Sequence, residues 1–168
     1  NAPGFTGGVN ISVNTMAVLS KHSNIIGMKE SSASGPGIYL TAVDEEFSVM
    51  AGSANILLST LIMGGVGGVL SIANFHPQAC CRLYDLFKKG NMKEMKCFQH
   101  AIIRLNQAVS GKYGVAGVKT AMDIVGLYGG DPRLPLLPLN DEEKVTIYEA
   151  LKKFGEEYSE FKVNLVKP

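Results

Sequence analysis

The chain has 168 residues, 46% hydrophobic and 18% charged, a composition that can bury a core and is unlike that of a disordered tract. Its formal charge of +1, from 16 Lys and Arg against 15 Asp and Glu, gives no electrostatic basis for binding nucleic acid or an anionic membrane surface. No apolar run reaches the roughly 20 residues that cross a bilayer, and the opening NAPGFTGG lacks the basic residues and apolar stretch of a targeting peptide.

Residues 12–22 read as a helix with Val13, Met16 and Ala17 on one face and Ser12 or Asn10 as its N-cap. IIGMKE (25–30) follows as a strand. GPGIYLTAVDEE reads as a short helix, FSVMAG (47–52) as a second strand, and ANILLSTLIMGG (54–65) as a well-buried helix ending at a glycine pair. VGGVLSIAN (66–74) is predicted as a third strand. Strand and helix in strict succession imply a parallel sheet with crossover helices, and the absence of polar alternation implies that both sheet faces are covered. From His76 onward the strand signal stops. Pro77 opens a helix that ends at Gly90, NMKEMKCFQHAIIRLNQAVS (91–110) is a longer amphipathic helix, and VAGVKTAMDIVGL (115–127) is another. An extended Pro-rich connector, GGDPRLPLLPLN, leads to a last helix, DEEKVTIYEALKKFGEEYSEF, with acids at its start as the helix dipole favours. The organisation expected is 1–75 as βα units and 76–168 as a final barrel helix with a helical tail.

In the first strand Ile25, Gly27 and Lys29 share one face, and Ile26, Met28 and Glu30 the other. A lysine there is either a strand-end side chain reaching water or a carboxylate, or an amine nucleophile. In the second case desolvation disfavours the ammonium, so that free amine can attack a ketone. The C-terminal end of a strand is where α/β barrels keep reactive groups. Gly52 and Ser53 stand at the end of the second strand, and Ser71 and Asn74 at the end predicted for the third. Glycine there lets backbone approach a small ligand, and small hydroxyls suit a 2-oxo acid.

Four segments in this order and spacing, NAPGFTG, IIGMKESS, VMAGSANILLSTLIMGGVGGVLSIAN and YGVAGVKTAMDIVGLYGGDPRLPLLPL, resemble the C-terminal half of the class I aldolases and synthases related to dihydrodipicolinate synthase and N-acetylneuraminate lyase. The resemblance covers nearly the whole chain. It implies an α/β fold: a partial TIM (β/α)8 barrel, its last three to four βα units, with a C-terminal helical extension. It also implies that Lys29 forms an imine with pyruvate or another 2-oxo acid, with no metal or organic cofactor. Gly52 and Ser53 match the loop lining the imine pocket. Val69 matches a position whose backbone carbonyl contacts substrate in the synthases, and Thr6 and Gly7 match the loop after the fifth barrel strand.

Among these relatives GMKESS followed by AGSAN looks most like the 4-hydroxy-2-oxoglutarate aldolases, which place the equivalent of Ser31 in the active site. Phe5 stands where the synthases carry an arginine that clamps a carboxylate, and a phenyl ring cannot do this. Sugar-acid aldolases of the 2-keto-3-deoxygluconate type also lack that arginine and stay open. The resemblance implies a parent enzyme that is a dimer or tetramer, with a small-molecule 2-oxo acid substrate and neither nucleic acid nor membrane as partner. It is expected to be intracellular: mitochondrial if nearest the animal hydroxy-oxoglutarate aldolases, otherwise cytoplasmic.

The family motif Y-N-x-P would begin one residue before Asn1, and its tyrosine relays protons. A complete barrel needs about 250 residues. The chain is therefore expected to be a C-terminal portion of a longer aldolase, inactive by itself. Two other classes compete. MGGVGGVLS could be a nucleotide loop, but the third glycine of G-x-G-x-x-G falls at Leu70, and a strand follows where a helix should open. A non-catalytic paralogue that pairs with intact barrels through a sheet edge shares all these features. Cys80, Cys81 and Cys97 lack metal-ligand spacing and read as reduced thiols packed as small hydrophobes. His22, His76 and His100 form no ligand pattern, and FKKGNMKEMK reads as a solvated helix junction.

Overall fold

The computed structural model describes residues 1–168. Three short parallel strands lie in the order β1 (Gly27–Glu30), β2 (Ser48–Ala51) and β3 (Gly67–Gly68). The helices α1 (Val13–Leu19), α2 (Gly37–Leu40) and α3 (Leu57–Ile62) alternate with them. Ser12 caps α1 by accepting from the Thr15 amide at 3.1 Å. The register pairs Lys29 with Met50 and Met50 with Gly67, and in the next row Glu30 with Ala51 and Ala51 with Gly68.

Alternate residues of β1 and β2 are buried. Met28 and Val49 pack with Met16 of α1, Tyr39 of α2 and Phe47, so helices cover that face of the sheet. The other face carries Gly27, Lys29, Ser48 and Met50, all half-buried or exposed. Within Asn1–Leu70 the helices α1 and α2 cover the Met28–Val49 face, and the expectation of two covered faces is not met in this unit.

Three local readings also change. Ile25 and Ile26 precede β1 and do not follow its alternation. The Ile25 amide closes a turn onto the His22 carbonyl, Ile25 packs against the core, and Ile26 is 79% exposed. The strand expected over 66–74 is two residues long, although the amides of Val66 and Val69 extend the pairing to the carbonyls of Val49 and Ala51. Ser71–Asn74 instead winds into a 3-10 turn, with the Asn74 side chain bonded to the Ser71 carbonyl at 3.0 Å. This removes Ser71 and Asn74 from a strand end. The helix expected over 54–65 begins as a 3-10 turn at Ala54–Ile56, and Ile62 and Met63 are exposed.

Contacts divide the chain into two units, Asn1–Leu70 with Phe87–Gly90, and Ser71–Leu86 with Asn91–Pro168. The second contains most of α4 (Pro77–Lys88) with α5 (Met92–Asn106), α6 (Lys112–Ile124) and α7 (Asp141–Glu157). A π turn at Gln107–Gly111 joins α5 to α6, and Gly114, at φ +56°, breaks the helix just before the predicted start at Val115. Asn140 and Glu143 form a reciprocal capping box at the start of α7. Cys80 is half-buried, with its thiol pushed up to about 12, chiefly by burial. Cys81 and Cys97 are exposed because they fall on the outer faces of α4 and α5, so the buried packing expected for all three thiols is corrected for two.

The core of the second unit holds an aromatic cluster: His76, Phe98, Phe154, Tyr158 and Phe161. His76 is 3% exposed and its Nδ1 has no partner. Burial lowers its pKa, and a hydrogen bond with the Phe161 backbone opposes the shift. The folded protein thus prefers neutral His76, whereas the unfolded chain takes up a proton near pH 6.5. Stability is full above that pH and falls as pH drops from about 6.5 toward the folded-state pKa, by at most about 1.4 kcal/mol per unit. Urea midpoints measured from pH 7.5 to 5.5 are expected to show this slope, and a His76→Phe variant is expected to lose it.

Candidate active site

The parallel register builds one end of the sheet into a continuous lip. Beyond the row Glu30–Ala51–Gly68 come Ser31, Gly52 and Val69, each at the C-terminal end of its strand. The Gly52 amide donates to the Glu30 carbonyl at 2.7 Å and the Val69 amide to the Ala51 carbonyl at 2.9 Å. Two residues back from this lip, Lys29 shares a row with Met50 and Gly67, and its side chain lies on the face that α1 and α2 leave open.

Gly52 is required by close approach. A Cβ there would overlap the Ser31 hydroxyl and lie 2.6 Å from the Glu30 carbonyl oxygen. Ser31 and Gly52, singled out separately in the sequence, are thus brought into contact. Gly52→Ala is expected to cost about 1–3 kcal/mol and to push Ser31 out of line. Urea unfolding, with the adduct-forming assay described below, checks both effects. Ser53 caps the following turn, its hydroxyl accepting from the Asn55 amide at 3.3 Å.

Asn1 lies along the free edge of β1. Its backbone nitrogen donates to the Lys29 carbonyl at 2.8 Å, and its carbonyl accepts from the Ser31 amide at 2.9 Å. This is the bonding pattern of a parallel bridge to Glu30. Phe5 and Thr6 follow on a 3-10 turn at Pro3–Phe5. Phe5 is 88% exposed, and the Thr6 hydroxyl sits within 3.2 Å of the Ala2 and Val9 carbonyls, closing the loop. Val69 is half-exposed at the end of β3.

Of the two alternatives for Lys29, its exposure matches the strand-end side chain that reaches water, and the burial of the neighbouring Glu30 was not foreseen. Lys29 is exposed, so the desolvation expected of a reactive amine is not supplied by residues 1–70. Glu30 is fully buried, and its carboxylate accepts from the Asn1 side chain at 2.8 Å and from the Ser32 amide. Tyr39 lies beside it, with its phenol pKa raised by burial and then by the Glu30 charge. The signal available for Glu30 was an acid placed on the same strand face as Met28, since a buried charge needs partners.

A parallel sheet with its polar residues and a lysine at the C-terminal strand ends has the form of an α/β-barrel active site. The chain belongs to the dihydrodipicolinate synthetase family, whose model matches residues 1–154. It is 30% identical over 157 residues to 4-hydroxy-tetrahydrodipicolinate synthase of Pelobacter propionicus, covering 92% of this chain and 54% of the relative. It is 32% identical over 155 residues to the probable mitochondrial 4-hydroxy-2-oxoglutarate aldolase of Emericella nidulans, covering 91% and 50%. Crystal structures of dihydrodipicolinate synthases match its fold. That from Bacillus anthracis gives a TM-score of 0.83 at 28% identity, covering 90% of this chain and 52% of the other. That from Thermotoga maritima gives 0.83 at 25%, covering 92% and 54%. The chain spans about half the length of the curated relatives it matches. The family is one of class I aldolases and lyases, and the α/β expectation stands in that form.

Proposed function

We propose that this chain carries the imine-forming half of a partial (β/α)8 barrel in a Schiff-base lyase, and that its substrate is 4-hydroxy-2-oxoglutarate. The observation that carries the reading is the row structure at the strand ends: Lys29 stands two residues before a lip made by Ser31, Gly52 and Val69. The Lys29 amine adds to the 2-oxo carbon and water leaves, giving an imine that is protonated to an iminium. Loss of the proton from the 4-hydroxyl breaks the C3–C4 bond. Its electron pair moves into the iminium, glyoxylate departs, and an enamine remains. Protonation at C3 and hydrolysis release pyruvate and free Lys29. Ser31, held against Gly52, is suited to hydrogen-bond the bound 2-oxo acid.

Phe5 disfavours the synthase reaction, because a phenyl ring cannot supply the bidentate guanidinium clamp that the synthases place there. The second carboxylate of 4-hydroxy-2-oxoglutarate, which leaves as glyoxylate, has to be met by other groups. Cleavage of a 2-keto-3-deoxy sugar acid is the neighbouring alternative and differs in the aldehyde released. Exposure of Lys29 favours a second reading, a non-catalytic chain that binds other barrels. In the lyase reading further barrel strands of a homo-oligomeric parent cover the amine, and the 168-residue chain alone turns over negligibly.

Sodium borohydride with pyruvate, and separately with 4-hydroxy-2-oxoglutarate, tests the proposal, with peptide mapping of the reduced adduct. The lyase reading expects the adduct on Lys29. An adduct spread over the exposed lysines in proportion to their accessibility would support the binding reading instead.

A further inference from the structure

Glu30 takes no part in the chemistry above, yet it is fully buried, on the opposite face of β1 from Lys29. A carboxylate in that position is costly unless its oxygens are bonded. Both are: Oε2 accepts from Asn1 Nδ2 at 2.8 Å, and Oε1 accepts from the Ser32 amide. Asn1 in turn grips the backbone on both sides of Glu30, at the Lys29 carbonyl and the Ser31 amide. The remaining groups close the assembly. Asn1 Oδ1 accepts from the Ile11 amide at 3.1 Å, Asn1 Nδ2 lies 3.1 Å from the Tyr39 hydroxyl, and that hydroxyl donates to the Ile11 carbonyl at 2.6 Å.

We infer that Glu30 is a positioning residue for the imine-forming step: through Asn1 it fixes the backbone that aims Lys29 and Ser31. The inference rests on the imine reading of Lys29. The site demands an acid. Both oxygens of Glu30 meet N–H donors, whereas a glutamine offers one acceptor and one NH2. Whichever way its amide is turned, an NH2 confronts either Asn1 or Ser32. The carboxylate also lies across the strand from the Lys29 amine, so it acts through the backbone on where the amine stands.

The test compares the unaltered chain with Glu30→Gln and Glu30→Asp, at a temperature where urea titration shows each fully folded. Lys29 adduct formation with pyruvate and cyanoborohydride is followed against pyruvate concentration and pH, alongside amide exchange at Ser31. Glu30→Gln is expected to lower the adduct rate at saturating pyruvate about tenfold, the scale of a displaced reacting group. The half-saturating concentration and the pH midpoint should not move, and the Ser31 amide should exchange faster. Glu30→Asp keeps two acceptors on a shorter arm and should recover part of the rate, which also covers the case in which the glutamine variant does not fold. A rate in either variant equal to that of the unaltered chain overturns the inference, as does a shifted pH midpoint, which would assign Glu30 an electrostatic role. Failure of Lys29 to label in both the unaltered chain and its full-length parent overturns the imine reading and this inference with it.

Discussion

Lys29→Arg is expected to reduce the borohydride-dependent adduct at residue 29 to background with either substrate. A guanidinium keeps the charge and much of the length but stays protonated, so it cannot add to a ketone. The same change should shift stability by no more than about 0.5 kcal/mol, because Lys29 is exposed and packs on no core residue. Separating a complete chemical loss from an intact fold is the value of the experiment. Equal labelling of the variant at neighbouring lysines would show that the carbonyl reacts with any accessible amine.

The largest loss of stability is expected from Phe154→Ala. Phe154 is 3% exposed, with its ring centroid 5.1 Å from that of His76, 5.4 Å from Tyr158, 6.1 Å from Phe161 and 6.2 Å from Phe98. Removing it empties the centre of the aromatic cluster and should cost about 3–5 kcal/mol. A domain of ordinary stability holds about 5–15 kcal/mol in total, so the helical unit would lie close to its unfolding midpoint. Urea titration by circular dichroism measures this. Leu134→Ala, at a side chain 83% exposed, provides the comparison and should change stability by less than about 0.5 kcal/mol.

Much of the strand-helix order was legible because each element carries its own punctuation. Ser12, read as a possible N-cap, does cap its helix, and the alternation across Met28, Lys29 and Glu30 matches the observed burial. The adjacency of Ser31 and Gly52 followed from their places at neighbouring strand ends, but their contact required the register. What could not be read depends on through-space partners. A strand pattern of SIAN differs little from a turn pattern until the Asn74 side chain is seen closing on Ser71. Exposure of Lys29 is a property of whatever stands opposite its face, which no local pattern encodes. The burial of Glu30 needed Asn1, 29 residues away in sequence, to make it tolerable.

The division of β1 and β2 into a helix-packed face and an open face has an evolutionary consequence. In the lyase reading proposed above, substitutions on the Lys29–Met50 side reshape what is bound while Met28 and Val49 keep their neighbours. Drift in specificity is thereby uncoupled from drift in foldability. Relatives of this chain at about 30% identity that bear the names of a synthase and of an aldolase are the kind of divergence such an arrangement permits.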